Sequence, residues 1–316
     1  MEEADSKQTI GYGVCRLCPR ECAVDRTHGT TGFCGQTDRM RLACATLHRG
    51  EEPPLISGAG SGALFFSGCT LGCGDCQNCQ ISGQGMGAEI DAAELAGIML
   101  RLQERGASNI NCVTGTHFAP GIIDALRRAR ADGLALPLVW NTSGFERIET
   151  LDLLEPYADV YLWDIKTLSI ATATARFKRP DYPELTMRGL KRIVKGRELL
   201  TKGNALRRGV IVRHLMLPGS LSDTLEVIDW YGRTIGSAAL FSLMTQYIDP
   251  AVGSSAPPLS STDEEQLLDA LDAAGIEEGF IQEAAEESDW LPDFSRRNPF
   301  PEEFSTMVWH WREGFL

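Results

Sequence analysis

The feature that most narrows the fold of this chain is an apolar run, ALFFSG at 63–68, that passes directly into a loop rich in glycine and cysteine, GCTLGCGDCQNC at 68–79. Further short apolar segments follow at NINCVT, PLVWNTSG, DVYLWDIK, RGVIVRHLM and AALFSLM. Helical spacing separates them, near Ile122 to Ala131, Arg147 to Leu154, Glu184 to Leu200 and Asp223 to Ile235. The first helix is the best marked. Asp91 with Glu94 three residues on forms a capping box, Leu95, Ile98, Met99 and Leu102 make one apolar stripe, and Gly106 stops it. Six strand–helix units imply right-handed crossovers and a parallel sheet, with functional groups at the carboxyl ends of the strands. The expected fold class is α/β, a partial (β/α)6 barrel over 55–250. An amino-terminal Cys-rich metal-binding module at 1–54 precedes it. A carboxy-terminal part at 251–316 follows, with a helix over Asp263 to Ala274 and an aromatic and proline-rich tail, SDWLPDFSRRNPFPEEF, that either packs on the barrel or covers its open side.

Charge and hydropathy exclude two broad classes. With 30 Lys and Arg against 43 Asp and Glu, the net charge of −13 opposes general binding to a phosphate backbone. The apolar runs are far shorter than a membrane span requires, and Met1 to Thr9 is polar, so a cytoplasmic protein without a signal peptide is expected.

Ten cysteines in a reducing compartment point to metal rather than to disulfides. Cys69, Cys73 and Cys76 are spaced CxxxCxxC. Three thiolates satisfy three irons of a cubane cluster and leave the fourth iron open to a chelating ligand. The competing reading closes a zinc site with Cys79, which is here taken as a nearby free thiol. Cys15, Cys18 and Cys22, with Cys34 after a glycine-containing turn, can enclose either one zinc ion or a further iron–sulfur cluster. Cys44 and Cys112 read as buried apolar residues. Asp164 and Lys166, two apart on a strand, share a face; so do Val210, Val212 and His214.

The motifs CRLCPRECAVDR, GFCG, EEPPLISG, FFSGC, CQN, NTSGFE and RHLMLPG, in this order from Cys15 to about Asp249, resemble the radical S-adenosylmethionine superfamily, and within it the homologues of pyruvate formate-lyase activating enzyme. The resemblance implies a [4Fe-4S] cluster on Cys69, Cys73 and Cys76 and S-adenosylmethionine at its open iron. Reductive cleavage to a 5′-deoxyadenosyl radical would then abstract hydrogen from a substrate. It further implies a reductant such as flavodoxin or ferredoxin, and a glycine of a glycyl-radical enzyme as substrate. The rival readings are radical modification of a small molecule or another peptide or protein, and an iron–sulfur redox sensor without turnover. Gly115, Thr116 and His117 stand where many superfamily members carry a GGE segment for the methionyl amine. Asn141, Thr142, Ser143 and Gly144 resemble the DTNG segment of the activating enzymes, with Asn in place of the acid. Asp164 and Lys166 resemble their DxK, which contacts the methionyl end, and His214 resembles the histidine that reaches the ribose.

Overall fold

A computed structural model of the chain describes residues 10–251, 253–255, 259–282 and 291–316. The polar segment Met1 to Thr9 and the start of the carboxy-terminal tail at 288–290 lie outside the described residues. The principal strands in chain order are β1 (Met40–His48), β2 (Ser61–Phe66), β3 (Ile110–Val113), β4 (Leu138–Thr142), β5 (Val160–Asp164), β6 (Ala205–Leu215), β7 (Leu240–Met244), β8 (Gly279–Gln282) and β9 (Ser305–His310). All six expected apolar segments are strands, β2 to β7. They lie side by side in chain order and pair in parallel.

The sheet is wider than six units. A seventh parallel strand, β8, pairs Phe280 with Ser242 of β7; its four residues are too short for a clear apolar run. At the other side β1 lies antiparallel to β2, and β9 lies antiparallel to β1. An uncovered strand edge presents unpaired N–H and C=O groups. The flanking segments supply that cover, so residues expected to lie outside the barrel belong to its sheet.

Helices fill the outer layer. Asp91 Oδ1 accepts from Ala93 and Glu94 N–H at 2.9 Å each, and Glu94 Oε2 accepts from Asp91 N–H at 2.8 Å, which is the capping box expected for Ala92–Glu104. Its stripe of Leu95, Ile98, Met99 and Leu102 is buried against the sheet. Helix Tyr182–Val194 ends short of the expected Leu200 because Gly196, at φ +75°, takes a left-handed conformation that stops it. Helix Ile170–Phe177 has no counterpart in the sequence reading.

The inner face is curled around segment 51–55. Asn111 on β3 donates to Glu51 at 2.9 Å, and Ser242 on β7 approaches Glu52 at 3.4 Å. Those strands are four apart in the sheet, about 19 Å if it were flat. Two adjacent residues can reach both only if the sheet bends into a partial barrel. Leu55 then packs on Val139, Val160, Leu162, Leu206 and Ile211 as an apolar floor near the amino ends of the strands.

Val308 on β9 is fully buried in the main core. Val308→Ala is expected to lower stability by about 2 kcal/mol in urea unfolding, whereas exposed Glu303→Ala should stay within about 0.5 kcal/mol. A carboxy-terminal segment laid loosely on the barrel would give equal, small effects for both.

Candidate functional site

The site begins where β2 ends. Gly68, at φ +84°, turns the chain into the cysteine loop, and Cys79 opens the short helix Cys79–Ser82. Cys69 accepts N–H groups from Leu71 and Gly72, and Ser82 donates its hydroxyl to Cys76 at 3.4 Å. Cys69, Cys73 and Cys76 are close enough for their charges to oppose one another, and the Lys166 cation opposes the burial that raises the Cys69 and Cys73 thiols. Three cysteines on one loop, with N–H donors to Cys69 and an O–H donor to Cys76, suit a thiolate-bound cluster, whose iron would stabilise the ionised form. Leu71, Phe145, Ala173, Phe177 and Tyr182 form the apolar bed beneath Cys69 and Cys73.

Facing the loop is a row of polar groups from the strand ends. Lys166 Nζ lies 2.6 Å from Asp164 Oδ2, and Arg213 Nε lies 2.7 Å from Asp164 Oδ1. Arg213 also donates to Asn141 Oδ1 at 2.9 Å. Burial works to raise Asp164, but the two cations outweigh it and hold the carboxyl below its ordinary range. For Lys166 burial works downward, and Asp164 with the Cys73 charge outweighs it. The Tyr182 hydroxyl joins the ends of β4 and β5: it accepts from Lys166 N–H at 2.9 Å and donates to Ser143 O at 2.8 Å. Gly144 is required here, because a Cβ would meet Asp164 O at 2.4 Å.

Asn141, Ser143, Asp164 and Lys166 are thus brought together, and the other expected cofactor residues are not. Gly115 packs towards Ile122 and Trp140. Thr116 donates to Glu146 at 2.6 Å in the buried layer under the helices. His117 Nε2 donates to Ser67 O at 2.8 Å, and burial lowers its pKa to about 3, so it braces the base of the loop as a neutral ring. His214 does share a face with Val210 and Val212, but that face meets the helices. Its ring nitrogens are bonded to Ile165 O at 2.7 Å and Thr224 Oγ1 at 3.0 Å. Arg213, one residue earlier, holds the inward position.

The amino-terminal cysteine module grips the loop from behind. Arg20 donates to Thr70 O at 3.0 Å and Leu71 O at 2.7 Å, and its guanidinium lies 3.6 Å from the centre of the Phe33 ring. A Cβ on Gly68 would meet Cys34 O at 2.7 Å, and one on Gly72 would meet the Phe33 ring at 2.9 Å. Both glycines are therefore demanded by close approach as well as by positive φ. Cys15, Cys18, Cys22 and Cys34 are near enough for their charges to act on one another. Burial pushes Cys18 up to about 12. Arg26 reaches Cys15 at 3.7 Å, and Phe33 N–H donates to Cys22 at 3.3 Å. Among the described residues, no three His, Cys, Asp or Glu side chains are drawn together as the ligands of a single ion.

Sequence reasoning passed over Arg20, Glu51, Glu52, Glu146 and Arg213, although each lies in one of the quoted motifs. Strands buried on both faces carry no apolar and polar alternation to say which face is inner. The pattern of RHLMLPG therefore gave no sign that Arg213, and not the assigned His214, faces inward.

Residues 56–164 match the family described as "4Fe-4S single cluster domain". An uncharacterized protein of Methanocaldococcus jannaschii is 28% identical over 241 residues, 74% of this chain and 65% of its own length. This chain therefore spans just under two thirds of that relative. Among solved structures, Streptococcus suis SuiB bound to precursor peptide SuiA is similar at TM-score 0.49 and 12% identity, over 69% of this chain and 47% of SuiB. A domain of pyruvate-formate lyase-activating enzyme from Bacteroides vulgatus gives a TM-score of 0.38 at 16% identity, over 52% of this chain and 90% of that one.

Two outcomes follow from the site's geometry. Arg20→Ala is expected to speed amide hydrogen exchange at both 30–36 and 68–76, read by mass spectrometry on the full chain; protection unchanged in either segment would mean the clamp is idle. Glu146 is fully buried, and burial raises its carboxyl to about 6 despite the Thr116, Thr142 and Trp140 hydrogen bonds. A carboxyl raised above its unfolded value binds its proton more tightly in the folded state, so its favourable contribution is complete below about pH 4.5 and lost as pH rises through about 6. Relative to Glu146→Gln, the wild type should lose about 2 kcal/mol across that window in pH-dependent urea unfolding; parallel curves would contradict it.

Proposed function

We infer that this chain belongs to the radical S-adenosylmethionine superfamily, holds a [4Fe-4S] cluster on Cys69, Cys73 and Cys76 and binds S-adenosylmethionine beside it, a reading supported by the motif resemblance and the match to a 4Fe-4S single cluster domain. One observation carries the reading: a three-cysteine loop leaves the first parallel strand opposite a paired Asp164 and Lys166 at the ends of the strands. When bound, the cluster would supply the electron that breaks a carbon–sulfur bond of the cofactor.

The chain's own groups do the rest. Lys166 offers a charge-assisted hydrogen bond to the cofactor's carboxylate. Asp164 keeps that ammonium protonated and oriented, and is itself held by Arg213. Because Asn141 Oδ1 is occupied by Arg213, its amide NH₂ is left to donate. Ser143 stands beside it at the end of β4. Cys79 stays outside the cluster. The finer reading, carried by the motif resemblance, is hydrogen abstraction from a glycine of a glycyl-radical enzyme, with flavodoxin or ferredoxin as reductant in a reducing cytoplasm. Cys15, Cys18, Cys22 and Cys34 would hold a second centre, zinc or iron–sulfur, in a module too small for a core of its own.

Anaerobically reconstituted and reduced protein should convert S-adenosylmethionine slowly to 5′-deoxyadenosine and methionine without any substrate, measured by liquid chromatography. Cys69→Ala, Cys73→Ala or Cys76→Ala should each abolish this, and Cys79→Ala should spare it. Lys166→Ala should weaken cofactor binding by roughly ten- to a hundredfold with iron content unchanged, as loss of a charge-assisted hydrogen bond requires. Wild-type protein with a full cluster that never cleaves the cofactor would refute the reading.

A further inference from the structure

The interior of the barrel holds two carboxylates that the reading above does not use. Glu51 and Glu52 stand on the segment that bridges the inner face, and their side chains are only 7% and 5% exposed. The nearest cation, Arg213 Nη1, is 3.6 Å from Glu51 and 3.7 Å from Glu52, beyond hydrogen-bond length, because its guanidinium is bonded to Asp164 and Asn141. Glu51 Oε1 accepts from Asn111, and Glu52 Oε1 is approached by Ser242. Three buried oxygens make no hydrogen bond to a resident donor: Glu52 Oε2, Asn111 Oδ1 and Glu51 Oε2, which has only its 3.6 Å ion pair with Arg213 and the neighbouring Glu52 carboxyl.

All three are acceptors, and a buried acceptor with no donor is costly. The charges are unbalanced in the same sense. Asp164, Glu51 and Glu52 are three acids facing two cations, Arg213 and Lys166, and burial, with the neighbouring Glu51 and Asp164 charges, raises the carboxyl of Glu52 despite Arg213. The floor is bulky, with Leu55, Val160, Leu162 and Ile211, whereas the polar neighbours of Asn111 and Glu52 are the short side chains of Ser61 and Ser242.

We propose that Glu51, Glu52 and Asn111 form a recognition site for a primary ammonium group. Its three N–H donors match three unfilled acceptors, and its single positive charge balances the third carboxylate. A hydroxyl supplies too few donors and no charge. A single metal ion is disfavoured, since no grouping of His, Cys, Asp or Glu for one occurs among the described residues and the next carboxylate, Asp164, is already bonded to two cations. Only the description of the ligand as a substrate rests on the proposed function; the site itself does not.

The test is calorimetric titration of the full-length, cluster-reconstituted protein with n-butylammonium, Nα-acetyl-lysine N-methylamide, n-butanol and butyrate. Saturable binding of an ammonium probe is expected, with n-butanol weaker by about tenfold or more and butyrate not binding. Glu51→Gln and Glu52→Gln, nearly isosteric, should each weaken the ammonium by about tenfold or more; should either fail to unfold cooperatively, Asn111→Ala is the substitute and should weaken it likewise. Tighter binding of the lysine amide assigns the ammonium to a peptide side chain, and tighter binding of n-butylammonium to a small molecule. No saturable binding by the folded wild type, equal binding by the folded variants, or n-butanol binding as tightly would each overturn the proposal. Cofactor cleavage without ammonium binding would sink this site alone, and ammonium binding without cofactor cleavage would sink the proposed function alone.

Discussion

The interior of this protein is organised by one guanidinium. Arg213 projects from β6 between the ends of its neighbours, binds Asp164 on β5 and Asn141 on β4, and comes within 4 Å of Glu51 and Glu52. A charge buried in a barrel is tolerated only when paired and hydrogen-bonded. The planar fork of arginine suits this position because it can serve several acceptors at once, which a lysine ammonium on its flexible stem does less well. With Arg213 satisfying one oxygen of Asp164, the other is free to fix Lys166 towards the cysteine loop. The strand ends therefore present a preset polar row, and the loop is set above it.

The loop itself is held by its surroundings as well as by its own hydrogen bonds. Arg20 binds the carbonyls of Thr70 and Leu71, His117 binds that of Ser67, and the Tyr182 ring packs beneath. Carbonyls at 67, 70 and 71 are thus occupied by donors that come from distant segments. Positive-φ glycines at 68 and 72 let Cys34 and Phe33 of the amino-terminal module approach to contact. The two groups of cysteines are consequently neighbours, with Arg20 close enough for its charge to interact with both Cys18 and Cys69.

Local rules were legible wherever a segment decided its own conformation. The box at Asp91 and Glu94, the strand at each of six apolar runs, and the pairing of Asp164 with Lys166 across two residues all follow from sequence neighbours. Reading failed for β8 and β9, whose few residues become strands only because an edge waits for them. It also chose His214 for the site and passed over Arg213. Both lie in one motif and both are buried, but one faces the helices and the other the interior.

What the sequence determined by itself was the class of architecture and the cysteine spacing of the loop that follows its first parallel strand, because strand and helix periods and CxxxCxxC spacing are properties of adjacent residues. What only the tertiary structure decided was which polar groups meet. Arg20 reaches a loop fifty residues away, and Glu51 meets Asn111 sixty residues on. Such encounters depend on how far the sheet curls and which strand face turns inward, and neither is written in the local pattern of a strand buried on both sides.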